Sequence, residues 1–303
     1  MDSFKPITLE EQPLFTNIFN AIKPVASELT FPYLFMWRRD YNLSYEVIAD
    51  HLCLVSQSRV FPPYAFCPIP LDGKRNDEKL GLALKKVEAC FDKRGLPLLL
   101  GRVEERRLPE LRQVFGKRME EKFLDAASDY VYEIPKLVGL SGGKLSSKRN
   151  HIKQFLRQYG EYEYVPVDES NIHECRRILE EWCDRNEEGT HEDNSERWAC
   201  NELFKNWSRL PVRGALIKVA GRFEAFTVGE LLNPRMAAIR IEKGNSDIHG
   251  IYTLINRDFC AHELSGLQYI NREEDMGKEG LRKSKLSYNP AFMVNKFLVK
   301  VLH

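Results

Sequence analysis

What this sequence lacks narrows it first. No run approaches the ~18 apolar residues of a membrane-spanning helix; the longest, around Leu96–Leu100 and Phe297–Leu302, are strand-sized. The opening MDSFKPITLEEQ has neither the basic start nor the apolar core of a secretory signal. A cytoplasmic location is therefore expected. Cysteine is sparse and scattered: Cys53, Cys67, Cys90, Cys175, Cys183, Cys200 and Cys260 form no C-x-x-C pair. That argues against a disulfide framework or a zinc knuckle and predicts small, reduced core residues. Glycine (18) and proline (15) are too few for a collagen-like or low-complexity chain. Nor is there an excess of one charge, since 45 Lys+Arg against 44 Asp+Glu leave +1, and 43% of the chain is hydrophobic. Disorder needs the opposite balance. A folded chain of 303 residues should bury about 75% of its unfolded surface and is long enough for two domains.

Several catalytic signatures are missing as well. There is no G-x-S-x-G elbow, no H-E-x-x-H, and no G-x-G-x-x-G after a strand. Gly142-Gly143-Lys144 fails as a phosphate loop, because Val138 stands where the first glycine belongs and Leu145 where Ser or Thr belongs. It reads instead as a hinge. Cys260 and His262, two apart on a helix, point in different directions, and the seven histidines never reach metal-ligand spacing. No metal site is expected.

What is present is a segregated charge. Between 134 and 160 lie six basic residues, Lys136, Lys144, Lys148, Arg149, Lys153 and Arg157, and no acid; between 168 and 196 lie eleven acids against three arginines. Ile152, Phe155, Leu156 and Tyr159 give the basic segment a helical apolar stripe, with Ser146 or Ser147 as its expected N-cap and Gly160 at its C-terminus. Arg149, Lys153 and Arg157 then form a basic stripe away from the buried face. Cys175, Ile178, Leu179, Trp182 and Cys183 predict a second helix, and Cys200, Leu203, Phe204 and Trp207 a third.

Beyond Pro211 the pattern becomes extended. Gly214–Val219 and Phe223–Leu231 flank a turn at Ala220-Gly221-Arg222, and Met236–Glu242 reads as a third strand. A helix follows through Ile248, Ile251, Tyr252, Ile255 and Phe259. A short strand at Gln268–Asn271, a charged helix near Asp275–Lys285 and a final strand at Ala291–Val301 complete the chain. From Glu161 this order is that of the GNAT acyltransferase fold. The first half, with helices at Leu14–Ile22, Leu80–Phe91 and Leu108–Phe115 and strands near Tyr45–Val55, Pro97–Val103 and Tyr130–Ile134, fits a degenerate copy. The expected fold class is α+β, a tandem duplicated GNAT fold with mixed sheets flanked by helices. The expected domains are 1–135 and 136–303.

GNAT enzymes that use acetyl-CoA carry R/Q-x-x-G-x-G/A after the fourth strand, where backbone N–H groups and a helix start hold the pyrophosphate. Here the stretch from Glu242 to Gly250 offers Gly244-Asn245-Ser246 and a helix start without the motif. Either the loop holds an anion or Asp247 caps the helix, and capping is the expectation. The segment Asn271–Pro290 is the densest in polar residues. It reads either as a solvated helix with Glu274 and Lys278 paired, or, because Asn271 and Arg272 directly follow a strand, as part of a site.

That segment, YINREEDMGKEGLRKSKLSYNP, together with GGKLSSKRNHIKQF, IEKGNSDIHGIYTLINRDF and the run Phe31–Tyr41, closely resembles a bacterial family of uncharacterised proteins with a phosphatidylglycerol lysyltransferase C-terminal-like domain. The resemblance covers essentially the whole chain. It implies kinship with lipid aminoacyltransferases and with the Fem family, tandem GNAT folds that move an amino acid from aminoacyl-tRNA to a lipid hydroxyl or a peptide amine. In those relatives a Phe-Lys pair precedes the last strand; the matching lysine here is Lys285, with Ser284 in place of the aromatic.

The resemblance implies direct acyl transfer without a covalent enzyme intermediate. Lys285, assisted by Arg272, would stabilise the oxyanion, with Glu242, Glu274 or Asp275 as the base. Lys144, Lys148, Arg149 and Lys153 would take phosphates of the donor together with Gly244, Asn245 and Ser246, and Asn271 and Tyr288 would meet the acceptor. The expected donor is aminoacyl-tRNA and the acceptor an amine or hydroxyl on a lipid, peptide or protein, with no tightly bound cofactor. An acyl-CoA-dependent N-acyltransferase is the alternative, and a non-catalytic binding or regulatory protein on the same fold the second.

Overall fold

The computed structural model describes residues 3–186 and 191–302. They fall into two compact units: one runs to Asp129 and resumes at Val294, and the other is Tyr130–Met293. The sequence division at 135/136 assigned the chain's end to the second domain. In the structure the expected final strand is two strands, parted at Asn295. Phe292–Val294 belongs to the second unit's sheet, whereas Lys296–Val301 lies between Leu99–Glu104 and Met119–Phe123 in the first.

In the first unit an eight-stranded sheet is packed by helices. The helix Asp77–Asp92 buries Leu80, Ala83, Leu84, Val87 and Phe91, the stripe that its periodicity predicts, and Asn76 caps it by accepting from the Lys79 N–H at 3.0 Å. Each of the buried Leu, Val and Phe side chains contributes about 1.5–3 kcal/mol. The expected strand through Tyr45–Val55 is a hairpin, Leu43–Ile48 and His51–Ser56, turning on Ala49 and Asp50, both at positive φ. The short helix Phe31–Trp37 has six of its seven residues buried, so it shows no amphipathic period to read. Deep in this unit the Nζ of Lys296 donates at 2.6 Å to both Glu28 and Asp129, with all three side chains almost fully buried.

The second unit has a seven-stranded sheet in the order Phe292–Val294, Asp129–Glu133, Tyr269–Asn271, Met236–Gly244, Arg222–Asn233, Val212–Val219, Tyr162–Pro166. From Asp129–Glu133 to Tyr162–Pro166 the pairings are antiparallel except that Tyr269–Asn271 runs parallel to Met236–Gly244. Ile172–Asn186 and His191–Lys205 are the helices of the acidic run, part of which, at 187–190, lies outside the described residues. Phe204 of the latter helix meets Phe226 of the sheet edge to face. The helix Ile251–His262 bears on two apolar clusters: Ile251, Leu254 and Ile255 join Ile152 and Phe155 of the basic helix, and Phe259 and Cys260 join Ala237 and Ile239 of the sheet.

Several local expectations are revised. The basic helix spans Ser146–Tyr159 with Leu145 at its N-cap, so neither Ser146 nor Ser147 caps it; Gly160, at φ +71°, ends it as expected. Asp247 does not cap the next helix either, because that place belongs to Gly250. Gly250 sits at φ +88°, and a Cβ there would lie 2.7 Å from the His151 carbonyl oxygen, so glycine lets the basic helix pack against this helix start. No disulfide joins any of the seven cysteines, which are buried except for the partly exposed Cys90. Burial pushes the Cys53 thiol up to about 12.

Candidate active site

The candidate site is built in the second unit around the carboxyl end of Met236–Gly244. Strict alternation along that strand would put Ile239 and Glu242 on opposite faces. A β-bulge prevents it: Val228 pairs with Ile241 but Gly229 with Ile239, leaving Arg240 as the extra residue. Glu242 is thereby turned toward the helix Ile251–His262, where its Oε2 accepts from Asn256 at 3.1 Å. A Cβ at position 229 would fall 2.8 Å from the Ala238 carbonyl oxygen and 2.9 Å from the Phe259 ring, so glycine permits the close approach here.

Arg272, just beyond Tyr269–Asn271, donates from Nη2 to Glu242 Oε1 at 2.8 Å. Its Nη1 is buried and, among the described residues, has no hydrogen-bond partner. The pair keeps 13% and 11% of its side-chain exposure, which places it at an opening rather than in a sealed core. Burial opposes the arginine charge, but Glu242 outweighs it and holds the pKa above the ordinary value. The guanidinium carbon lies 4.9 Å from the Tyr288 ring centre and 5.9 Å from that of Tyr132. Tyr288 donates to Thr253 Oγ1 at 3.2 Å, and burial raises the pKa of its phenol.

Lys148 enters from the basic helix, with Nζ 4.0 Å from the centre of the Tyr288 ring. The residue is 8% exposed, and its pKa is lowered first by burial and then by the charge of Arg272. Its position separates it from the expected stripe, since Lys153 and Arg157 face solvent. Arg149 is spent on the helix's own entry, donating to the carbonyls of Leu140 and Gly142. Lys144 is exposed and donates to Asn289 Oδ1 at 2.9 Å.

Other expected site residues hold the loop in shape. Lys285 donates through Nζ to the carbonyls of Arg272 and Glu273. Asp275 accepts from Tyr130 at 2.6 Å, from Arg282 Nε at 2.7 Å and from the Gly277 N–H at 2.8 Å. Although burial works against its charge, these partners hold its carboxyl below the usual range. Asn271, fully buried, accepts from the Glu273 N–H at 2.8 Å and so shapes the turn. Glu274 follows on the same loop, half-buried.

The Gly244-Asn245-Ser246 loop is not brought into this cluster as an anion cradle. The N–H groups of Gly244, Asn245 and Asp247 already donate, to Tyr252, to the Glu224 carbonyl and to Asn245 Oδ1. Asn245 Oδ1 also takes Arg185 at 2.6 Å, and the cleft alongside, lined by Glu181 and Glu224 among others, has about 10 Å³ of free volume, space for about one water. Among the described residues no group of His, Cys, Asp and Glu could hold a metal ion.

Sequence reasoning passed over Tyr132, Thr253 and Asn256. The last two carried a usable signal, being polar residues one turn apart inside a helix otherwise buried by Ile, Leu and Phe. Buried polar side chains require partners, and these two point to Tyr288 and Glu242.

Residues 19–300 match the model of the family described as phosphatidylglycerol lysyltransferase, C-terminal. A conserved protein of unknown function from Bacteroides thetaiotaomicron VPI-5482 is 31% identical and superposes with a TM-score of 0.90 over 98% of this chain and 99% of that one. The C-terminal domain of a putative lysylphosphatidylglycerol synthetase from Agrobacterium fabrum shares the fold at 14% identity, with a TM-score of 0.66 over 96% of this chain and 91% of its own. A tandem GNAT protein from the clavulanic acid biosynthesis pathway does so at 9% identity, with a TM-score of 0.53 over 98% and 97%. The fold is a tandem GNAT fold, as the order of elements predicts. Among the described residues no helix is long and apolar enough to cross a membrane.

Proposed function

The chain belongs to the phosphatidylglycerol lysyltransferase C-terminal family, and from that premise we propose that it is an acyltransferase moving an aminoacyl group from aminoacyl-tRNA to an amine or hydroxyl acceptor. The supporting observation is Arg272 itself: a guanidinium fixed by Glu242, whose buried Nη1 has no hydrogen-bond partner among the described residues. A donor held ready in this way has a use when the ester carbonyl becomes a tetrahedral oxyanion, and it needs no reorganisation at that moment. Lys285, whose ammonium is occupied by two carbonyls, positions the Arg272 backbone rather than meeting the oxyanion. The exposed Lys144, Lys153 and Arg157 are available for tRNA phosphates. The occupied N–H groups of the Gly244 loop weigh against a CoA pyrophosphate there.

The test is transfer of radiolabelled amino acids from a charged tRNA pool to lipid vesicles, peptides and proteins, with a parallel series of acyl-CoA thioesters. Transfer from tRNA is expected, with Arg272→Gln slowing it about 10²–10³-fold, the usual cost of one oxyanion donor, while the circular dichroism spectrum stays unchanged. No transfer from tRNA and no tRNA binding at low salt would overturn the reading. Turnover of a CoA thioester would replace the donor.

A further inference from the structure

Three of the carboxylates around Arg272 that could serve as the base of such a transfer are engaged. Both oxygens of Glu242 accept, from Arg272 and Asn256. Asp275 is held by Tyr130, Arg282 and Gly277, and Glu273 is paired with the buried Arg240 at 2.6 Å. Lys148 stands apart from them. The residue is 8% exposed, and among the described residues its Nζ has no hydrogen-bond acceptor, only the Tyr288 ring at 4.0 Å, while Nζ itself keeps contact with solvent. From these placements we propose that Lys148 is the general base of the reaction, a proposal that rests on the acyl-transfer reading above.

Burial and neighbouring charge both bias Lys148 toward its neutral amine. Partial desolvation without a carboxylate partner disfavours the ammonium form, and an aromatic face returns only about 0.5–2 kcal/mol. The groups facing it do not supply the missing anion. Arg272 adds like charge and cannot itself lose a proton; Glu242 is neutralised by Arg272; Tyr288 is kept neutral by burial; His151, on its own helix, has a pKa lowered by burial, His249 and Lys148. Loss of the proton relieves both the desolvation and the repulsion, and it leaves an amine lone pair inside the cluster.

In the reaction the acceptor's O–H or neutral N–H attacks the carbonyl carbon of the aminoacyl ester, and its proton passes to Lys148 Nζ. The tetrahedral intermediate collapses by breaking the bond to the donor's ribose oxygen. That oxygen takes the proton back from Lys148, and the free amine is restored. No oxidant, metal or further reactant is needed.

Two measurements on the full chain test this. In ¹⁵N-lysine-labelled protein the Nζ signal assigned to Lys148, through its loss in Lys148→Arg, should titrate below the ordinary lysine value of 10.5. In the transfer assay Lys148→Arg, which keeps a cation but cannot accept a proton, should lose at least about 10²-fold in turnover. Lys148→Met should lose as much and be partly rescued by added ethylamine. If Lys148 titrates at or above 10.5, or if Lys148→Arg turns over normally while Arg272→Gln does not, the proposal fails and the acyl-transfer reading survives. Loss of turnover in Glu274→Gln with none in Lys148→Arg would move the base to Glu274. Absence of transfer from every aminoacyl-tRNA, whatever the titration shows, would remove the reading and the base together.

Discussion

Asp275 illustrates how a residue's environment sets its role. A carboxylate on a polar loop after a strand fits the description of a base, but three donors fasten it to Tyr130, Arg282 and the Gly277 N–H, making it a brace. Because its folded pKa is depressed, its stabilisation is complete above the ordinary value of 3.8 and is lost as pH falls through the folded value. Asp275→Asn should therefore cost about 2–4 kcal/mol at neutral pH. The gap to the parent protein should shrink below pH 3.8; urea melts at several pH values would show it, and a constant gap would contradict it. The candidate residues Glu242, Arg272, Lys148 and Tyr288 were legible in the sequence as polar groups near strand and helix ends. Their division of labour was not, because it depends on which lone pairs are already occupied.

At the scale of elements, two backbone devices position the site. The bulge at Arg240 turns Glu242 onto the face of the helix Ile251–His262, and Gly250 lets the basic helix lie against that helix's first turn. Gly250→Ala would add a Cβ 2.7 Å from the His151 carbonyl oxygen at a φ that alanine disfavours by about 1–2 kcal/mol. We expect a loss of at least about 2 kcal/mol in stability, chiefly in the docking of Ser146–Tyr159. Faster amide exchange in that helix than in Asp77–Asp92 would locate the effect, and uniform protection would argue against it. Periodicity predicted both helices, since each has a clear apolar stripe. It could not predict the bulge, because one extra residue leaves no mark on an apolar strand, nor Phe31–Trp37, which is buried almost all round.

For the whole molecule, the chain's end is a structural part of its beginning. Lys296–Val301 is an interior strand of the first unit's sheet, and Lys296 is the cation for Glu28 and Asp129. Lys296→Met keeps the apolar length but leaves two buried carboxylates without their partner, a situation that costs about 3–5 kcal/mol. Denaturant titration should show a loss of that size; a loss below about 1 kcal/mol would mean that the carboxylates protonate at little expense. Burial already raises the pKa of Glu28, and Lys296 offsets only part of that.

The sequence alone determined the fold class, most of its elements and the family, because helix stripes, strand runs and turn residues are local and the quoted segments are distinctive. It also singled out the basic stretch from Lys136 to Arg157, whose near cancellation against the acidic run makes the overall +1 uninformative. Only the tertiary structure decided that this stretch sends Lys148 inward and leaves Lys153 and Arg157 outside, that the last strand divides between two sheets, and that Arg272 Nη1 has no hydrogen-bond partner among the described residues. Those outcomes depend on contacts between residues far apart in the chain. Burial and pairing are properties of such contacts, and no local pattern encodes them.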